Sequence, residues 1–207
     1  MGIQHGVWRD DDVGFVQRHQ FPEITQQAVP AGCTVGIAGE PDTIVTAEKT
    51  GVPHRGGEEW LYLAVVIDPY SRRVVGWAMS SRTKASLATE ALLMAYWRRK
   101  PGKGLIHHSD RGSQYAGSDY RKLLGTYGMI CSMSRKDDCW DNAVAESFFH
   151  SLKTEWTAEI IYRTRSDARS DVIQYIEMFY NSHRLHSYLG YKNPNDFEKN
   201  FILAKAA

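Results

Sequence analysis

Two carboxylates in this chain stand where catalysis could use them. Asp110 lies in "GLIHHSDRGSQY", residues 104–115, behind an apolar pair, Leu105 and Ile106, and two histidines, His107 and His108. Ser109, Arg111, Gly112, Ser113 and Gln114 surround it with donors and small side chains and give it no hydrophobic cover. Glu146 lies in "DNAVAESFFHSLKTEW", residues 141–156. Projected at about 100° per residue, Val144, Phe148, Leu152 and Trp156 form an apolar stripe, and Asn142, Glu146, His150 and Lys153 fall together on the opposite side. Two exposed carboxylates from different elements suit a hard divalent cation, since Mg²⁺ is held by one or two protein carboxylates plus waters and substrate phosphates. With a third carboxylate, two ions about 3.5–4 Å apart could clamp the attacking and leaving oxygens of an in-line phosphoryl displacement. Each residue taken singly has a plainer reading, as a turn-forming aspartate and as part of a solvated helix face.

The elements that must position them begin at Trp60. "WLYLAVVI", residues 60–67, is an unbroken apolar run of strand length and predicts a strand covered on both faces. "DPYSRR" supplies turn chemistry and "VVGWAM" returns as a second strand. Residues 83–100, rich in Ala, Leu, Met and Glu and followed by Pro101 and Gly102, predict a helix. The strand "GLIHH" comes next and sets Asp110 at its carboxyl end, where open α/β sheets place their ligands. A short helix opened by Ser118 over "SDYRKLLGTY" and a strand "MICSMS" follow. Asp141 or Asn142 can cap the Glu146 helix, and Ser166 or Asp167 a last long helix over residues 165–184. The fold class expected is α/β, a mixed sheet flanked by helices, with a helical C-terminal extension.

Residues 1–57 predict little order. They are thick with Gly, Pro and Thr and offer only short β-like pieces such as "DTIVT", so loop or weak hairpin is the expectation. Charge divides at the same place: residues 1–59 carry 4 basic and 9 acidic side chains, and residues 60–207 carry 21 and 15. The positive surplus of the second part suits a polyanion partner. No stretch approaches the roughly 18 apolar residues of a membrane span, and no basic region with an apolar run opens the chain, so the expectation is a cytoplasmic protein without a membrane partner. Cys33, Cys131 and Cys139 lack close CxxC pairing and read as reduced thiols.

Four blocks, "WLYLAVVIDPYSRRVVGWAM", "HHSDRGSQY", "CWDNAVAESFFHSLKTEW" and "YIEMFYNSHRLHSYLGYKNP", resemble in order and content the catalytic core of bacterial insertion-sequence transposases of the retroviral-integrase type. The resemblance covers about residues 58–200. It implies a ribonuclease H-like fold and an Asp, Asp, Glu active site whose last two members are Asp110 and Glu146, with thirty-five residues between them. It further implies Mg²⁺ or Mn²⁺, DNA partners comprising the element ends and a target, a homo-oligomer on that DNA, and a nucleoid-associated place in a bacterial cell. The chemistry implied has no covalent enzyme intermediate: metal-activated water nicks DNA, and the freed 3′ hydroxyl attacks a target phosphodiester. Arg111, Gln114, Asn142, His150, Lys153, Arg184 and His186 become candidate DNA contacts, the last two alternatively an inter-helix segment.

The resembled family carries its first aspartate about ten residues before the tryptophan of "WLYL". Counting back from Trp60 reaches Thr50, where the sequence shows neither an aspartate nor a strand signal. Asp42 is the nearest candidate of the right type, eight residues early, and Glu48 is closer but in a different local sequence. Asp137 stands where the family has glycine. A match lost abruptly ahead of residue 58 is the pattern a frameshift or rearrangement in coding DNA leaves. The expectation is therefore a strand transferase impaired by the missing ligand. The alternatives are a noncatalytic DNA-binding remnant that interferes with an intact transposase, and a hydrolytic nuclease of the same fold.

Overall fold

The computed structural model describes residues 43–45, 50–52, 60–82, 85–109, 112, 115, 117–133, 143–158 and 160–206. Asp42, Glu48, Asp110, Arg111, Gln114, Asp137, Trp140, Asn142, Cys33 and Cys139 lie outside the described residues.

The sheet is built around β3 (Leu61–Ile67), the unbroken apolar run. β4 (Val74–Ser80) pairs with it antiparallel through the predicted hairpin. Asp68 makes the turn, its Oδ1 accepting from the Tyr70 N–H at 2.9 Å while its own N–H donates to the Arg73 carbonyl at 2.9 Å. On the other side of β3 lie two short strands, β1 (Thr43–Val45) and β2 (Thr50–Val52), both antiparallel to it. β1 also pairs parallel with β5 (Ile106–Ser109), and β5 with β6 (Ile130–Met133). The sheet is thus mixed, as expected. It departs from expectation ahead of residue 58, where loop or weak hairpin was predicted and no strand was foreseen at Thr50. β1 and β2 do not form a hairpin with each other. The register pairs Val45 with Ile67 and Thr50 with Leu63, so both run along one edge of β3, and non-local pairing makes strands of weak local sequences.

Alternation along β3 feeds two cores. Leu61, Leu63, Val65 and Ile67 pack with Phe148, Phe149, Leu152, Val172, Tyr175 and Ile176 on one face. Ala64 and Val66 pack with Leu87, Ala91, Leu92, Tyr115, Tyr120 and Leu124 on the other. The first face is covered by α3 (Ala143–Ser151) and α4 (Arg165–Gln174), the second by α1 (Ala85–Arg99) and α2 (Ser118–Thr126). Burial of β3 on both faces is what the absence of polar alternation requires.

Helix ends depart in detail. α2 is preceded by Gly117 with no side-chain cap, where Ser118 was expected to open it. α4 is capped by Thr164, whose hydroxyl accepts from the Asp167 N–H while the Asp167 carboxylate accepts from the Thr164 N–H. Asp167 is therefore the third helical residue, not the cap. Both α3 and α4 run on into π-helical turns, Leu152–Trp156 and Tyr175–Tyr180. α5 (Pro194–Ala206) closes the chain and is tied to the hairpin: Glu198 accepts from the Ser71 hydroxyl and from Arg73, both at 2.7 Å, and pairs with Arg99, which also faces Asp68 at 3.5 Å. Burial raises the Asp68 carboxyl above its ordinary range, with Arg99 opposing. Burial also acts upward on Glu198, and the hydrogen bonds from Arg99, Ser71 and Arg73 together outweigh it and hold that carboxyl below its ordinary range.

Candidate active site on one face of the sheet

α3 carries Glu146 because its other face is apolar. Phe148, Phe149 and Leu152 are buried, Val144 and Trp156 half-buried, while Glu146, His150 and Lys153 are exposed. The predicted stripe is present, with three of the four residues on its polar opposite exposed and Asn142 outside the described residues. Phe149 was not part of that stripe. It is buried because the core on this face also takes in Tyr162, Val172 and Ile176 beside α3.

β5 is the strand that precedes the second candidate, Asp110, which itself lies outside the described residues. His107 is fully buried among the residues of the α1/α2 face and hydrogen-bonds the Tyr120 hydroxyl through Nε2 at 3.0 Å. Burial pushes its pKa down to about 3, with the neighbouring His108 adding to the effect, so it is a neutral packing histidine. Because side chains alternate along a strand, Ile106 and His108 belong to the opposite face, the one α3 covers. His108 holds the Ser132 hydroxyl there at 3.0 Å. Among the described residues no three of His, Cys, Asp and Glu gather closely enough to hold a metal ion. No described helix is long and apolar enough to cross a membrane.

Two of the candidate DNA contacts are buried. Arg184 and His186 are 7% and 8% exposed, and Arg184 is committed to Glu155 through two hydrogen bonds of 2.7 and 2.8 Å. Glu155 takes the edge of the guanidinium formed by Nε and one terminal nitrogen, and the other terminal nitrogen lies 3.4 Å from His186 Nδ1. Glu155 was not singled out in the sequence, although a signal existed. At 100° per residue it falls on the same side as Phe148 and Leu152, and a carboxylate within a buried stripe requires a partner.

The mixed sheet with helices on both faces defines a ribonuclease H-like unit. Residues 39–139 match the family described as "Integrase core domain", and residues 127–194 match a second family of the same description. The chain belongs to the integrase-core family of bacterial insertion-sequence transposases. It is 44% identical over 162 residues to the transposase for insertion sequence element IS904 of Lactococcus lactis subsp. lactis (strain IL1403), covering 78% of this chain and 63% of that protein. It is 50% identical over 144 residues to transposase InsF for insertion sequence IS3A of Escherichia coli (strain K12), covering 70% of this chain and 50% of that protein. The chain thus spans between half and two thirds of the length of these relatives. A chain in the cryo-EM structure of the simian T-cell lymphotropic virus intasome in complex with PP2A regulatory subunit B56 gamma shares the fold, with a TM-score of 0.52 and 13% identity over 66% of this chain and 48% of that one. The first family match begins nineteen residues ahead of Glu58, the expected start of the core, and so takes in β1 and β2.

Proposed function

We propose that this chain acts on DNA by phosphoryl transfer at a site built from Asp110 and Glu146, as a transposase core. The observation that carries the reading is that α3 and the even-numbered residues of β5 share one face of the sheet. Continued by one step past His108, the alternation would bring Asp110 to the face that bears Glu146. Glu146 is exposed on a helix whose seat is fixed by Phe148 and Leu152, so its carboxylate is presented by a rigid element. An all-oxygen donor pair fits Mg²⁺ or Mn²⁺. When bound, such an ion supplies Lewis-acid stabilisation of charge developing on the phosphoryl oxygens. His150 and Lys153, exposed on the same side of α3, offer cationic and hydrogen-bonding groups to the phosphate backbone, with Arg111, Gln114 and Asn142 as further contacts. Element ends and target DNA as substrates, an oligomer assembled on them, and a cytoplasmic, nucleoid-associated setting complete the reading.

The third carboxylate is the weak point. β1 is parallel to β5 with Thr43 opposite Ile106. Asp42, which immediately precedes Thr43, would in that register fall opposite Leu105, about 16 Å along the strand from Asp110 at 3.3 Å per residue. Carried past Val45 and His108, the same register would set Ala47 opposite Asp110, which favours Glu48 over Asp42 as the nearer acid. Neither acid reproduces the aspartate that the resembled family carries about ten residues before Trp60, and we propose an impaired enzyme.

DNA binding is expected to be sequence-tolerant and steeply salt-dependent, because a positive surplus that neutralises phosphates releases counterions. Lys153→Ala should lower the magnitude of the slope of log K against log salt by about one. Fluorescence anisotropy of the full chain with labelled duplex across salt concentrations checks this. Affinity unchanged between low and high salt would count against a phosphate-reading surface.

A further inference from the structure

The segment "YNSHRLHSYLGYKNP", residues 180–194, buries the polar side chains of Asn181, Arg184, His186 and Asn193. Asn181 is buried and its amide copies a strand: Oδ1 accepts from the Val74 N–H at 2.9 Å, and Nδ2 donates to the Val74 carbonyl at 3.0 Å. This closes the first residue of β4, which among the described strands pairs only with β3. Three residues on, Arg184 reaches Glu155 with Nε donating to Oε2 at 2.8 Å and its terminal nitrogen to Oε1 at 2.7 Å. The two side chains are 8% and 16% exposed. Glu155 lies in the π-helical turn that continues α3, so the pair grips the far end of the helix bearing Glu146. Next to Glu155, Trp156 packs on Phe179 and Tyr175 and donates to Asp171 at 3.0 Å.

Apolar contacts alone let a helix slide or roll on a sheet at small cost, because dispersion is non-directional. A bidentate guanidinium–carboxylate pair is directional. It contributes little net stability when buried, since removing two charges from water offsets their attraction. Its effect here is therefore on position. We propose that Arg184 and Glu155 are positioning residues: their pair fixes where α3 sits along the sheet, and with it where Glu146 stands, while Arg184 takes no part in gripping DNA. The functional half of this rests on Glu146 as a catalytic carboxylate.

The test uses the full chain and two variants, Arg184→Lys, which keeps the charge and loses the fork, and the double replacement Arg184→Met with Glu155→Leu, which removes both charges together. The double variant should melt close to the wild type. In both variants the amides of residues 143–151 should exchange with solvent about tenfold faster while those of β3 and β4 keep their protection. Half-saturation by Mn²⁺, followed by calorimetry, should weaken by about tenfold in the double variant despite its unchanged melting temperature. The salt slope of DNA binding should match the wild type in Arg184→Lys. A uniform rise in exchange across the fold, no rise in α3, an unchanged Mn²⁺ midpoint, or a reduced salt slope would each overturn the proposal. If the wild type takes up no Mn²⁺, the carboxylate site itself is refuted, and the exchange arm still decides whether the pair holds α3.

Discussion

Replacing Gly76 with alanine is expected to cost about 3 kcal/mol of stability, the upper end of an overpacked core, and to lower the melting temperature by about 6–12 °C. Gly76 lies in β4 where α1 crosses it. A Cβ there would meet the Ala91 carbonyl oxygen at 2.3 Å, the Ala95 nitrogen at 2.7 Å and the Ala95 Cβ at 2.8 Å. Two of these are backbone atoms of a helix, which cannot swing aside as a long side chain can. Ala88, Ala91 and Ala95 are themselves buried, so the approach is already as close as small residues allow. Relief would require α1 to retreat and open the cluster it forms with Val66, Val75 and Ala78. Arg99, at the end of α1, would draw away from Asp68 and Glu198 in the same movement. Thermal denaturation followed by circular dichroism measures the loss. A melting temperature within 2 °C or so of the wild type would show that the contact yields more easily than close packing permits.

Strand transfer by the chain as it stands is expected to be orders of magnitude below that of a transposase with a complete carboxylate set. Catalysis by positioned ions is cooperative, and a misplaced ligand displaces both the ion and the nucleophile it orients. Between Thr43 and Val52, the stretch that flanks β3, the sequence contains Glu48 and no aspartate. Ala47→Asp, introduced opposite Asp110 in the extended register, is expected to raise activity. Glu146→Gln in that background should abolish it. Assays with Mg²⁺ or Mn²⁺ on the element's own ends provide the comparison. Robust activity of the unaltered chain that is lost in Asp42→Asn would show the register reading to be wrong and would identify Asp42 as the third ligand.

Much of the frame was legible because its signals are local. The apolar run at residues 60–67, the Asp68 turn and the Ala- and Leu-rich helix each declare themselves within a few residues, and the structure has all three. The face of α3 that presents Glu146 was legible for the same reason, since one amphipathic stripe fixes both sides of a helix. β2 was not legible. "TGV" has no strand signal of its own and becomes a strand only because Leu61–Leu63 lies beside it. The cap of α4 was displaced by two to three residues because Thr164, Ser166 and Asp167 are all capping types, and only backbone geometry separates the cap from its partner. For Arg184 the sequence left two readings open, a DNA contact or an inter-helix segment, because an arginine near a helix end serves either. Its burial depends on Glu155, twenty-nine residues away, a pairing that neither local sequence announces.

The central claim is that Asp110 and Glu146 share a divalent cation on the α3 face of the sheet. A crystal structure of the full chain grown with Mn²⁺, with anomalous data at the manganese edge, tests it most directly. The account predicts anomalous density between the two carboxylates, each with an oxygen about 2.0–2.2 Å from the ion, the range of compact octahedral sites. Carboxylates more than about 10 Å apart, beyond the reach of ions at two-metal spacing, or manganese bound elsewhere with Glu146 free, would contradict it.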